Sequence, residues 1–362
     1  MSESSKRFGA IWGALRKLFP GAKGNAARHL NVLAGLVCGI IGSGRTNLPA
    51  IAGNVPFNAK EESIVKQFER WAENERIDVE TYFLPCARAL LAALAPGGLV
   101  LVMDGSVVGR GCITLMVGVV YKKRVLPIAW LVVKGTKGHF PEDLHIAVLK
   151  LAQPLIPEGT DVVFLGDGEF DGVNLLATIN GWGWKYVCRT GKNIKLYWEG
   201  EEFSYEDMGN AIGPGEDFVA PNTLFTEKKY GPVLAIAWWR KDCKEPIYLV
   251  SNMERAEEAC REYAKRFAIE TFFSDQKSRG FHLHKSHISD PTRLSRLMIA
   301  ACLAYYWVTY LGVAALEGAW QGIIHRKKRC DLSLFQLGLR FLRHLMRKGL
   351  PLPEDFVEIL LC

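Results

Sequence analysis

Two short apolar runs, each closed by an aspartate, constrain this chain more than any other feature. Residues 99–103 read Leu-Val-Leu-Val-Met and are followed by Asp104. Residues 162–165 read Val-Val-Phe-Leu and are followed by Gly166 and Asp167. Runs this short, without polar alternation and rich in branched side chains, suit strands buried on both faces, as in a parallel sheet. In open α/β sheets, functional groups gather at the carboxyl ends of strands. Neighbouring strands lie about 4.8 Å apart, so two carboxylates at adjacent strand ends can share a divalent cation. An Asp after a strand is also a common turn or cap residue, so the pair alone leaves both readings open.

The rest of the chain supplies the context such a sheet needs. Residues 11–18, 26–41, 61–74 and 79–94 show helix-like spacing, punctuated by Gly21, Gly42, Pro49 and Pro56. Strands are predicted at 113–121 and 125–133, joined by Lys122-Lys123-Arg124, and at 184–188. Helices are predicted at 141–151 and 172–179. Residues 190–250 break into short alternating runs with turns, including 195–198, 233–239 and 247–250, and read as a β-rich insertion. Residues 255–277 read as one long helix. The remainder reads as helical, with a basic stretch from 326 to 348. It holds Arg326, Lys327, Lys328, Arg329, Arg340, Arg343, Arg347 and Lys348 against one acid, Asp331.

The long helix sharpens the picture. Tyr263, Arg266, Glu270 and Lys277 stand at offsets 0, 3, 7 and 14. At about 100° per residue they fall on one stripe roughly 60° wide. A carboxylate flanked by Arg, Lys and Tyr suits a site where Glu completes a metal centre while the cations and the phenol hold phosphates. A solvated helix face carrying an Arg266–Glu270 pair is the plainer alternative.

With its spacing of two, three and six intervening residues, Tyr263-Arg266-Glu270-Lys277 resembles the Tyr-Arg-Glu-Lys signature of bacterial insertion-sequence transposases of the IS-four family. Asp104 in Val-Met-Asp-Gly-Ser and Asp167 in Leu-Gly-Asp-Gly-Glu-Phe resemble the two aspartates of that family's Asp-Asp-Glu triad. The resemblance spans roughly residues 96–316. It implies an α/β fold with an RNase H-like catalytic core, interrupted by a β-rich insertion and flanked by helical N-terminal and C-terminal regions. The expected division is 1–95 for binding terminal repeats, 96–189 with 252–316 for the core, 190–251 for the insertion, and 317–362 for a basic helical region.

The resemblance also implies chemistry. Asp104, Asp167 and Glu270 would be catalytic and hold Mg²⁺, with Mn²⁺ as a substitute, for cleavage and strand transfer at element ends. Tyr263, Arg266 and Lys277 would hold DNA phosphates. Trp238, Trp239 and Tyr248 are candidates for stacking a displaced base, beside their plainer reading as strand-packing aromatics. Expected partners are double-stranded DNA, both terminal inverted repeats and target, and a second copy of the chain in a synaptic homodimer. A related endonuclease on the same core and an inactive, domesticated DNA-binding protein are the alternatives.

Composition narrows the remaining classes. Hydrophobic residues make up 49% and charged residues 23%, which excludes a mainly disordered chain. The net charge of +7 favours a polyanionic partner without establishing one. Nine cysteines, an odd count without a CxxC pair, argue against a disulfide framework or zinc module and for a reducing compartment. Residues 1–16 lack a continuous apolar run, so no secretory signal is expected and the expected location is the bacterial cytoplasm, on the nucleoid when DNA is bound. Residues 297–316 are twenty residues without a charge, long enough to span a bilayer. A helix buried against a sheet would look the same, and no membrane association is expected.

Three motifs are set aside. Gly39 to Thr46 nearly matches a phosphate-binding loop but has Arg45 where Lys is needed, and it reads as a turn between helices. Asp167-Gly-Glu169-Phe-Asp171-Gly172 resembles the start of a calcium loop, but its twelfth position is Thr178 instead of Glu. His282, His284 and His287 lack zinc-ligand spacing and read as phosphate-facing or surface histidines.

Overall fold

The computed structural model describes residues 2–136, 139–326 and 331–356. Lys327, Lys328 and Arg329 of the basic stretch therefore lie outside the described residues. Six helices lead into the sheet: α1 (Glu3–Leu18), α2 (Gly24–Ser43), α3 (Leu48–Ala52), α4 (Glu61–Glu73), α5 (Val79–Tyr82) and α6 (Leu84–Leu94). The Ser2 hydroxyl caps α1 by accepting from the Ser5 N–H. In α4, Ile64, Phe68, Trp71 and Ala72 form one buried stripe at helical spacing. The helix predicted over 79–94 is broken at Phe83, and Pro85 falls in the first turn of α6, where a missing N–H is tolerated. The stretch resembling a phosphate loop is the last turn of α2, closed by Gly44 in the left-handed region.

β1 (Leu99–Gly109), β2 (Cys112–Tyr121) and β3 (Arg124–Lys134) form an antiparallel meander. Lys122 and Lys123 both have positive φ in the two-residue turn between β2 and β3, matching the twist of a tight hairpin. After α7 (Glu142–Ala152), β4 (Val162–Gly166) pairs parallel with β1; after α8 (Val173–Gly181), β5 (Lys185–Arg189) pairs parallel with β4. The order β3-β2-β1-β4-β5, with three antiparallel strands followed by two parallel ones, is the RNase H-like arrangement.

The region after β5 adds β6 (Lys195–Trp198), β7 (Glu201–Ser204), α9 (Tyr205–Asn210), β8 (Asp217–Phe225), β9 (Tyr230–Trp238) and β10 (Ile247–Ser251). β10 pairs antiparallel with β5, and β9, β8, β6 and β7 follow outward. The β-rich region thus extends the core sheet to ten strands instead of forming a sheet of its own.

The single helix expected over 255–277 is interrupted. α10 (Ala256–Tyr263) passes into a 3₁₀ turn over Ala264–Phe267, and α11 (Ala268–Gln276) resumes. The four signature residues therefore do not share one straight helical stripe. α12 (Pro291–Glu317) starts at Asp290, whose carboxylate accepts from the Arg293 N–H, and packs on α14 (Leu334–Lys348), α2 and β3, with α13 (Gln321–Ile324) between α12 and α14 in sequence. Both α2 and α12 have the length and apolarity of a membrane span, but α12 is buried almost throughout, which accounts for its missing charges. At Gly312 and Gly338 a β-carbon would collide with the facing backbone of Leu334 and Val308, so these glycines permit the close approach of α12 and α14.

Candidate active site

The β1–β4 register creates the first half of the site. Val102 lies opposite Leu165, the last parallel pair. Two residues further along each segment stand Asp104 and Asp167, so the register brings them level on one face. β1 does not end at Asp104, as the sequence suggests, because β2 continues as its partner: Asp104 lies opposite Met116 and the pairing runs on toward Gly109. The aspartate stands where β1 outlasts its parallel neighbour.

The 3₁₀ turn between α10 and α11 supplies the other half. It aims Arg266 at the strand ends. Arg266 Nη1 lies 3.9 Å from Asp104 Oδ2 and 3.7 Å from Asp167 Oδ2. Its Nη2 donates to Glu270 Oε1 at 3.0 Å. One nearly buried guanidinium thus stands among three carboxylates, with its Nε buried and unpartnered. Three negative charges around one positive charge leave an uncompensated excess in a partly desolvated place. Burial first, and the neighbouring Asp167 carboxylate second, push the Asp104 carboxyl up to about 6. Asp104 Oδ1 accepts from the Gly105 N–H at 2.7 Å, and Asp167 Oδ1 from the Glu169 N–H at 3.0 Å. Glu270 is the most exposed of the three, with its side chain 58% accessible.

The other expected residues divide. Lys277 follows the end of α11 and its Nζ donates to Ser106 Oγ at 2.5 Å, two residues beyond Asp104 on β1. Tyr263 is buried, with its ring against Phe267; burial pushes its phenol up to about 12, against the pull of Arg266 and Arg189. Trp238 packs beside the Arg240 guanidinium, Trp239 Nε1 donates to the Cys243 carbonyl, and Tyr248 lies against the Tyr205 ring. No hydrogen bond or ring contact among the described residues joins those three aromatics to the carboxylates.

Sequence reasoning passed over two acids beside Asp167. Glu169 accepts from the Phe140 N–H at 2.5 Å and lies 3.5 Å from the buried His145 and 3.7 Å from His139. Asp171 accepts from the Thr190 hydroxyl at 2.6 Å. The calcium-loop likeness was their signal. Their partners anchor the loop after β4, Glu169 to the start of α7 and Asp171 to the end of β5.

The donor set fits a hard divalent cation, since all three side chains offer carboxylate oxygens and the excess negative charge calls for a cation. Among the described residues, no three His, Cys, Asp or Glu side chains stand close enough to hold a metal ion unaided. The cation they share in this conformation is Arg266.

A family model described as a transposase DDE domain matches residues 109–307, just over half of the chain. The chain belongs to that family. The match contains Asp167, Tyr263, Arg266, Glu270 and Lys277, and begins just after Asp104. DDE domains of this kind generally use divalent metal ions. Among solved structures, a piggyBac transposase synaptic complex with hairpin DNA is similar at 12% identity, covering 95% of this chain and 79% of that one, with a TM-score of 0.47. The catalytic domain of human endonuclease V is similar at 15% identity over 62% of this chain and 93% of that one, with a TM-score of 0.28. No curated protein matches the sequence.

Proposed function

We propose that this DDE-domain chain is a cut-and-paste DNA transposase of the IS-four type, cleaving the ends of an insertion sequence and joining them to target DNA. The observation that carries the reading is the convergence of Asp104, Asp167 and Glu270 on the Arg266 guanidinium. Two strands and a distant helix, from separate parts of the sequence, bring three carboxylates to one cation.

Asp104, Asp167 and Glu270 would hold Mg²⁺, or Mn²⁺ in its place. Bound there, the ions would activate a water or a 3′-hydroxyl and offset charge on the leaving oxygen during in-line phosphoryl transfer. The chain's own groups do the rest. Arg266 offers a planar fork suited to bidentate contact with a phosphate, and Lys277 a point charge positioned by Ser106. Buried Tyr263 serves first to pack the 3₁₀ turn that aims Arg266. A donor role for its phenol toward a DNA phosphate requires that the turn be uncovered. Trp238, Trp239 and Tyr248 are partly exposed at one end of β9 and β10, and stacking of a flipped base there would contribute about 1–3 kcal/mol. Residues 1–95 would grip terminal repeats, 96–189 with 252–316 form the core, 190–251 form the insertion, and 317–362 contact DNA or a second protomer in a homodimer. The setting would be the bacterial cytoplasm.

The test uses DNA bearing the element's own ends, recovered from sequence flanking the coding region. The chain is incubated with it and Mg²⁺, as wild type and as Glu270→Gln. Cleavage at the ends with strand joining, lost in the variant, is expected. End binding without cleavage in either protein would replace this reading with that of an inactive DNA-binding protein, and cleavage without joined products with that of an endonuclease.

A further inference from the structure

A second charged hollow lies on the loop that follows Lys277. Arg45, Asn47, His282, Lys285 and His287 line a pocket of about 210 Å³. No acid is among them. No ion pair among the described residues draws on Arg45, Lys285 or the two histidines. Some cations elsewhere pair with carboxylates, as Lys265 does with Glu262 at 2.6 Å.

The hollow is held by hydrogen bonds on several sides. The buried Thr46, between Arg45 and Asn47, donates its hydroxyl to the His282 carbonyl at 3.3 Å, joining segments 236 residues apart. The His282 N–H donates to the Lys277 carbonyl at 2.9 Å, and the Arg110 N–H to the Ile288 carbonyl at 3.2 Å. The loop is thereby tied to both the N-terminal helices and the end of β1. Burial first, then the neighbouring Lys285, His282 and Lys277, lower the pKa of His284. The Nδ1 atoms of His282 and His284 are buried without a hydrogen-bond partner. This is an arrangement whose electrostatics favour an anion.

We propose that this pocket is a DNA phosphate subsite separate from the carboxylate site, formed where the N-terminal helices meet the loop after α11. The inference rests on the reading of the chain as a DNA-processing enzyme. Lys277 stands at the head of the loop and bonds Ser106, two residues from Asp104. A strand whose reacting phosphate lies at the carboxylates passes Lys277 and presents a further phosphate to the pocket. There Arg45 supplies a bidentate fork, Lys285 a point charge and Asn47 a neutral donor. Because Arg45 comes from the connection between α2 and α3, the subsite couples the position of those helices to the strand held by the core.

The full-length chain is titrated with a DNA duplex bearing the element's own end from 50 to 200 mM salt, as wild type, Arg45→Gln, Lys285→Gln and the double variant. Each substitution should lower the slope of log affinity against log salt by about 1, and the pair by about 2. Both side chains are exposed, so thermal unfolding should be unchanged. Neutral methylphosphonate placed at one position at a time should weaken wild type at a position where it no longer weakens the double variant. Wild-type slopes in the variants, or reduced slopes without any such position, would overturn the pocket and leave the transposase reading standing. Salt-insensitive binding by wild type itself would overturn both.

Discussion

Two charged regions lie at opposite ends of one short stretch of structure, and they are resolved in opposite ways. At the strand ends, Asp104, Asp167 and Glu270 surround a guanidinium supplied by the chain itself. At the loop after α11, Arg45, His282, Lys285 and His287 surround a hollow whose lining holds no acid. Ser106 and Lys277 join the two. On the proposed reading, an acidic site that borrows an internal cation keeps its shape until a divalent ion binds. A basic pocket meant for a phosphate gains from having no internal anion, since any such anion would compete with the ligand. On the proposed reading, the difference separates a site that would hold a small ion from one that would hold a polymer's backbone.

The largest expected effect tests the acidic side. Asp104→Asn keeps the shape of the side chain but removes a charge, and should lower DNA cleavage at least a thousandfold, about 4 kcal/mol of barrier. Thermal unfolding gives a second readout without DNA. Mg²⁺ at a hundred times its dissociation constant stabilises a folded protein by about 2.7 kcal/mol. Wild type should therefore melt several degrees higher with saturating Mg²⁺, and Asp104→Asn should not. An equal rise in both proteins would mean that the ion binds elsewhere and that Arg266 is the permanent occupant of the site.

The next effect asks how much of the pH dependence of stability comes from the carboxylate cluster and how much from a buried carboxyl outside it. Asp275 on α11 is the control. It is buried, its Oδ2 has no hydrogen-bond partner, and burial pushes its carboxyl up to about 6 although Arg124 and Arg279 pull it down. Tyr305 also faces it, and its phenol is raised in part by the Asp275 charge. With a folded pKa near 6 and an unfolded value near 4, the folded state binds more protons between those limits, so stability falls as pH rises through the window. Two units correspond to about 3 kcal/mol. Asp104 adds a contribution of the same sign. Equilibrium urea unfolding at pH 4 to 7 should show Asp275→Asn with a shallower decline than wild type. An unchanged decline would assign the whole effect to the carboxylate cluster.

The sequence announced the acidic region far better than the basic one. The runs before Asp104 and Asp167 are short, apolar and rich in branched side chains, which suits a central strand, and the β1–β4 register brings the two aspartates level. The apolar length of α12 was equally legible, because a helix buried on nearly every side leaves no polar face. The break at Ala264–Phe267 was not legible. Those four residues contain neither Gly nor Pro, and the 3₁₀ turn reflects tertiary packing around Tyr263 and Arg266 in place of local preference. The extension of β1 past Asp104 was hidden for a related reason: Gly105 and Ser106 look like a strand end, but β2 supplies the partner that keeps them extended. The pocket was least visible. Its histidines read equally as phosphate-facing or surface residues, Arg45 lies in a stretch that reads as a turn between helices, and nothing local connects it with a loop more than two hundred residues away.

The smallest expected effect lies at the joint between the two regions. Ser106 holds Lys277 through one hydroxyl, and Ser106→Ala removes that acceptor without touching any carboxylate. Lys277 keeps its charge and can turn to water, so the loss should be that of one net hydrogen bond, about 1 kcal/mol or roughly fivefold. If Ser106 only positions Lys277 for a phosphate, the loss should fall on KM for DNA, with kcat nearly unchanged and the Mg²⁺-dependent rise in melting temperature intact. A loss in kcat of the size expected for Asp104→Asn would instead place Ser106 within the reacting centre, and the acidic and basic regions would then act as one site.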